Sequence, residues 1–93
     1  MELLHLQYHV KGIPNKQILL LYLGQNDNKI CGILSESINN DELKLIKSNK
    51  IYLSQLPFIK KIEWFKSKCP YAFKKGYRTI ITSNLTIINR HVI

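Results

Sequence analysis

Acidic residues are scarce in this chain. Six Asp and Glu stand against fourteen Lys and Arg in 93 residues, for a formal net charge of +8 at pH 7. The shortage is local. Residues 1–43 hold three cations and five anions, whereas residues 44–93 hold eleven cations and one anion, Glu63. A field of that kind repels basic partners and draws polyanions to one half of the molecule. Paired carboxylates for acid–base chemistry are missing too: Asp41 and Glu42 suit the first turn of a helix, and Glu63 stands among lysines. Cysteine is limited to Cys31 and Cys69, too few for a stapled scaffold and without zinc-finger spacing. His5 and His9 share a strand face about 13 Å apart at strand rise, too far to chelate one ion. No metal or cofactor is therefore expected. The longest apolar run, residues 18–23, is too short to cross a bilayer. No basic segment followed by an apolar one opens the chain as a secretion signal. The expectation is a cytoplasmic protein with reduced thiols and no membrane partner.

What is present suits a globular chain. The hydrophobic share of 45 % argues against disorder, and 93 residues make a single domain with a modest core. Ile, Lys and Asn supply 34 of the 93 residues, and Lys outnumbers Arg twelve to two. An AT-rich genome explains lysine in place of arginine. It does not explain the loss of acids from one half, so the basic half reads as functional.

Residues 2–10 alternate, with Leu4, Leu6, Tyr8 and Val10 on one face, as a half-buried strand does. Gly12, Pro14 and Asn15 place a hairpin loop at 11–16. Residues 17–23, apolar on both faces, predict a central strand, and residues 30–34 a third strand with a bulge or close approach at Gly32. Asn40 reads as the cap of a helix over 41–48, and residues 51–53 as an extended link or small strand. Ser54 reads as the cap of a second helix ended by Pro70. At about 100° per residue, Phe58, Ile59, Ile62, Phe65 and Cys69 gather on its buried face, and Trp64 falls roughly 140° away, with Lys60, Lys61 and Lys68. Residues 71–76 read as a loop or a last irregular turn. Residues 77–82 and 85–92 are β-branched and separated by Ser83-Asn84, which predicts a terminal hairpin pairing Ile80 with Ile87 and Arg78 with Asn89. The fold class is α+β: a small antiparallel or mixed sheet in β-β-β-α-α-β-β order packed against two short helices. Its parts are a meander (1–35), two helices (40–69) and the hairpin (77–92).

The stretch from 56 to 78 concentrates chemistry. Cations at Lys60, Lys61, Lys66, Lys68, Lys74, Lys75 and Arg78 interleave with Trp64, Phe65, Tyr71, Phe73 and Tyr77. Such a pattern grips a phosphate backbone and stacks on bases, or anchors a protein interface. Two readings of Trp64 stay open: a ring packed under a neighbouring strand and covered by lysine stems, or an exposed ring that stacks on a partner. The candidate contact residues are Lys60, Lys61, Trp64, Lys68, Lys74, Lys75, Tyr77 and Arg78. The expected function is non-catalytic binding of nucleic acid, RNA included, or of a nucleic-acid-dependent protein machine. Acidic protein surfaces are a further class of partner. Size and composition suit a phage or mobile-element accessory protein, such as an inhibitor of a host nuclease or defence complex.

An enzymatic alternative comes from the tail. The segments YRTIIT and INRHVI resemble the terminal hairpin of small basic ribonuclease toxins, over residues 77–93. That resemblance implies an endoribonuclease in which His91 acts on the 2′-hydroxyl and Arg78 and Arg90 steady the phosphorane. The chain lacks the toxins' basic-glycine entry motif and begins with strands rather than helices.

Overall fold

The computed structural model describes residues 1–12, 14 and 16–93. Alternating apolar residues make Glu2–Tyr8 the first strand, β1, with Leu4 and Leu6 fully buried on one face. Of the loop expected at 11–16, Ile13 and Asn15 lie outside the described residues. Strand β2 runs Lys16–Asn26 and β3 runs Lys29–Leu34, paired antiparallel with Asn26 opposite Lys29. The tight turn between them carries Asp27 at φ 54°, in the left-handed region that Asp tolerates better than most residues. Gly32 on β3 is required by a close approach. A Cβ there would lie 2.4 Å from the Leu21 carbonyl oxygen and 2.7 Å from Leu20 Cγ.

After β3 come a 3-10 turn at Ser35–Ser37 and four short helices: α1 (Asn40–Ser48), α2 (Lys50–Gln55), α3 (Phe58–Lys68) and α4 (Pro70–Gly76). Strand β4 (Tyr77–Ile81), a second 3-10 turn (Thr82–Asn84) and β5 (Leu85–Val92) complete the chain. The five strands form one antiparallel sheet in the order β4-β3-β2-β1-β5. The α+β architecture expected from the sequence is the one observed.

The terminal hairpin is not. Strands β4 and β5 occupy opposite edges of the sheet: β4 pairs with β3 from Lys29↔Ile81 to Ile33↔Tyr77, and β5 pairs with β1 from Glu2↔Val92 to Tyr8↔Leu85. Ile80 and Ile87 do share one core, but not a hydrogen-bonded pair, and Asn89 faces His5 rather than Arg78. The local rule failed because β1 and β3 each present an open edge, and the two late strands satisfy those edges separately. Only a coiled sheet permits this connection. The four steps from Ile81 to Leu85 reach at most about 14 Å, while the edges of a flat sheet of this width lie about 19 Å apart. The 3-10 turn bridges opposite corners: Thr82 N–H donates to the Asn28 carbonyl at 2.8 Å, and Asn84 carbonyl accepts from His9 N–H at 2.7 Å. The sheet thus curls toward a small barrel.

Two cores result, one on each side of the sheet. Leu4, Leu6, Leu20, Ile30 and Ile80 fill the concave interior, with Tyr8, Ile18, Tyr22, Leu34, Leu85 and Ile87 around them. Leu21, Leu23 and Ile33 face outward and are covered by Ile46, Leu53, Phe65, Cys69 and Ala72 from the helices. This is why β2 is apolar on both faces.

The helices depart from expectation in their bounds and number. Asn39, not Asn40, caps α1, its Oδ1 accepting from Glu42 N–H at 2.8 Å. Residues 51–53 are helical rather than extended, held by one apolar anchor, the buried Leu53. Ser54 lies within α2, donating to the Ile51 carbonyl at 2.7 Å, and α3 starts after Pro57. Ile59, expected in the core, is 62 % exposed, whereas Phe65 and Cys69 are fully buried. Residues 71–76 form α4, because Pro70 opens a new helix at a position where its missing N–H is not needed.

Candidate nucleic-acid interface

Helices α3 and α4 follow one another across the outer face of the sheet, and their solvent sides carry six lysines: Lys60, Lys61, Lys66, Lys68, Lys74 and Lys75. All are exposed except the half-buried Lys61. The single acid on these helices, Glu63, is paired with Lys60 at 3.2 Å. Lysine stems rise from a helix whose opposite stripe (Phe58, Ile62, Phe65) is committed to the sheet, so the ammonium groups stand on its outer side.

The helical period divides this surface into two flanks. Along one side of α3 run Lys60, Trp64, Ser67 and Lys68; Lys66 lies on the other. On the first flank Trp64 answers both earlier readings in part. It is half-buried at the margin of the helix-side core, meeting Phe65 edge-to-face with ring centroids 5.0 Å apart and planes at 74°. Its free edge lines a groove of about 250 Å³ between α2 and α3, with Tyr52, Leu56, Lys60, Glu63, Ser67 and Lys68.

On the second flank the Lys66 ammonium sits 5.6 Å from the Phe73 ring centre. Phe73 in turn stacks on Tyr77 with centroids 4.5 Å apart and planes at 22°. Tyr77 is half-buried, and burial, reinforced by Cys31 and opposed by a hydrogen bond with Thr79, raises its phenol above the ordinary range. Tyr77 therefore supports Phe73 and stays protonated at neutral pH. On α4, Lys75 Nζ donates to the Tyr71 hydroxyl at 3.3 Å and lies 5.5 Å from that ring's centre. Arg78, exposed at the start of β4, turns its guanidinium back to the Tyr77 carbonyl at 2.8 Å.

The structure gathers Lys60, Trp64 and Lys68 in one groove and Lys74 and Lys75 on the adjoining helix. It does not pair the two strands that carry the ribonuclease-like residues. Arg78 lies on one edge strand, Arg90 and His91 on the opposite edge. Arg90 is paired with Glu2 at 3.2 Å, His91 lines a groove with His5, Lys16, Gln17 and Glu36, and Arg78 lines another that shares Lys16 and Glu36. Convergence of Arg78, Asn89 and His91 depended on a hairpin that does not form. The cysteines are not nucleophiles here: both are free and buried, and burial, followed by the nearby Glu42 charge, pushes the Cys69 thiol up to about 11. Among the described residues, no three His, Cys, Asp or Glu are placed to share a metal ion, and no helix is long and apolar enough to cross a membrane.

Sequence reasoning missed Tyr52, which it placed in an extended link, and Ser67. The signal was available only after α2 was known to be helical, since that turns Tyr52 toward α3. Comparison with protein-family models, curated proteins and solved structures finds no match.

Proposed function

We propose that this protein is a small non-catalytic binding module whose ligand is nucleic acid, either free or carried by a protein machine. The observation that supports this reading is the lysine-covered outer side of α3 and α4, where the only acid is already neutralised by Lys60. Each lysine that meets a phosphate releases condensed counterions, so affinity falls steeply with salt. The expected slope is about 0.7 log units per log unit of salt for each contact on a single strand, and about 0.9 on duplex DNA. Replacing Lys74 and Lys75 together by Ala should weaken binding of any sequence and shallow the slope by about two contacts.

The test is retardation of oligonucleotides across a salt series, joined to an affinity pull-down with and without nuclease. A flat salt response removes the phosphate reading. A partner protein that survives nuclease treatment, with no retardation of free oligonucleotides, replaces nucleic acid by an acidic protein surface.

A further inference from the structure

We infer that the groove between α2 and α3 receives a single unstacked nucleobase, so that the ligand of the basic surface is single-stranded. This rests on the nucleic-acid reading above and adds what that reading leaves open: strand state and base class.

Three features of the groove carry it. The first is shape and lining. At about 250 Å³ it is smaller than the roughly 300–1,000 Å³ of pockets that enclose whole drug-sized ligands. It is lined by Tyr52, 54 % exposed, and Trp64, with Leu56 between the helices. Every base has a π-face, so two rings bordering one slot accept a base irrespective of its identity. The indole is also held in place, because its contact with Phe65 leaves it little freedom to reorient. Little ordering cost remains on binding.

The second feature is charge. Lys60 and Lys68 stand on the groove's lining, so a base entering it brings its phosphates toward two ammonium groups. A duplex cannot use this arrangement, because its bases are stacked and its phosphates alone would meet the rim.

The third is the polar pair on the α3 side, Glu63 and Ser67. A carboxylate accepts hydrogen bonds and donates none, so it suits bases with an exocyclic amino group and disfavours thymine and uracil edges. Glu63 is now engaged by Lys60 at 3.2 Å. When Lys60 turns to a phosphate, Glu63 is released as an acceptor. The ion pair thus acts as a placeholder for the ligand's phosphate and amino group.

Trp64 is the only tryptophan in the chain, which makes its fluorescence a direct report on the groove. The experiment titrates the protein with deoxycytidine and cytidine oligomers, a deoxythymidine oligomer, an abasic oligomer of the same length, and a duplex, reading fluorescence and affinity together. The cytidine strands should quench Trp64 and bind best. The abasic strand, with equal charge, should bind about 5- to 150-fold more weakly and leave the fluorescence unchanged. Tyr52→Ala should cost the same factor for cytidine strands and nothing for the abasic one. Glu63→Gln should tighten binding overall while erasing the preference for cytidine over thymidine. Equal binding of abasic and intact strands without quenching, or a duplex that binds and quenches as well as a single strand, overturns the inference and leaves the proposed function standing. Cytidine and thymidine strands of equal affinity overturn the assignment of Glu63. No binding of any oligomer at low salt overturns this inference together with the binding of free nucleic acid.

Discussion

Cys69 and Glu42 show how a small core uses polar groups. Cys69 ends α3, fully buried, with its thiol raised from the usual 9.0 to about 11 by burial and by Glu42. An acid whose pKa rises on folding stabilises the native state while protonated. Its contribution is complete below pH 9 and is lost as pH climbs from about 9 to about 11. Cys69→Ala should flatten that part of the stability profile, measured as the denaturant midpoint at successive pH values. An unchanged profile removes Cys69 as its source. Tyr77, shifted in the same direction by its own burial, remains in the variant and keeps a decline at higher pH. Glu42 sits near Cys69. Its Oε2 accepts the Ala72 N–H at 3.2 Å in the first turn of α4, so a residue of α1 caps a helix thirty positions later. In the sequence Glu42 reads as ordinary first-turn charge, and nothing local distinguishes it from Asp41, which is exposed.

Elements divide by how much of their definition is local. Strand β3 is defined by both its pattern and its glycine. Gly32→Ala would press a methyl group against the Leu21 carbonyl and the Leu20 side chain. The expected loss is about 1–3 kcal/mol, read from the urea midpoint, and an unaltered midpoint would mean that β2 and β3 can separate there freely. Strands β1 to β3 and α1 were legible because alternation, turn residues and helix-end charge all lie within each segment. The partnership of β4 and β5 was not, because strand pairing depends on which edges remain open elsewhere. Nor were α2 and α4. Each has six or seven residues, below the length at which a helix is stable alone, and each is fixed by packing: Leu53 under α2, and Ala72 with the Glu42 cap under α4. The candidate surface followed the same division. Lys60, Trp64 and Lys68 fall together by helical period alone, whereas adding Tyr52 requires a second helix placed by the core.

Across the whole molecule, charge and layers coincide. The sheet's concave interior is closed by the 3-10 turn that ties β3's hairpin to the end of β1, and nine of the eleven cations of residues 44–93 lie in the helical layer outside it. Polyanions are thereby drawn to the helices rather than to the strand edges. On that layer α3 separates the Trp64 groove from the Lys66–Phe73 flank, and a helix with its side chains is about 10–12 Å across. A ligand that uses both flanks has to pass over that width, which takes more than one nucleotide. Affinity should therefore rise in a step, not smoothly, as oligomers are lengthened from one nucleotide to the length that crosses α3. A smooth increase with length, measured by titration at fixed salt, would mean that only one side of α3 is used. Its ridge works as a ruler: mononucleotides and free phosphate are too short to read it.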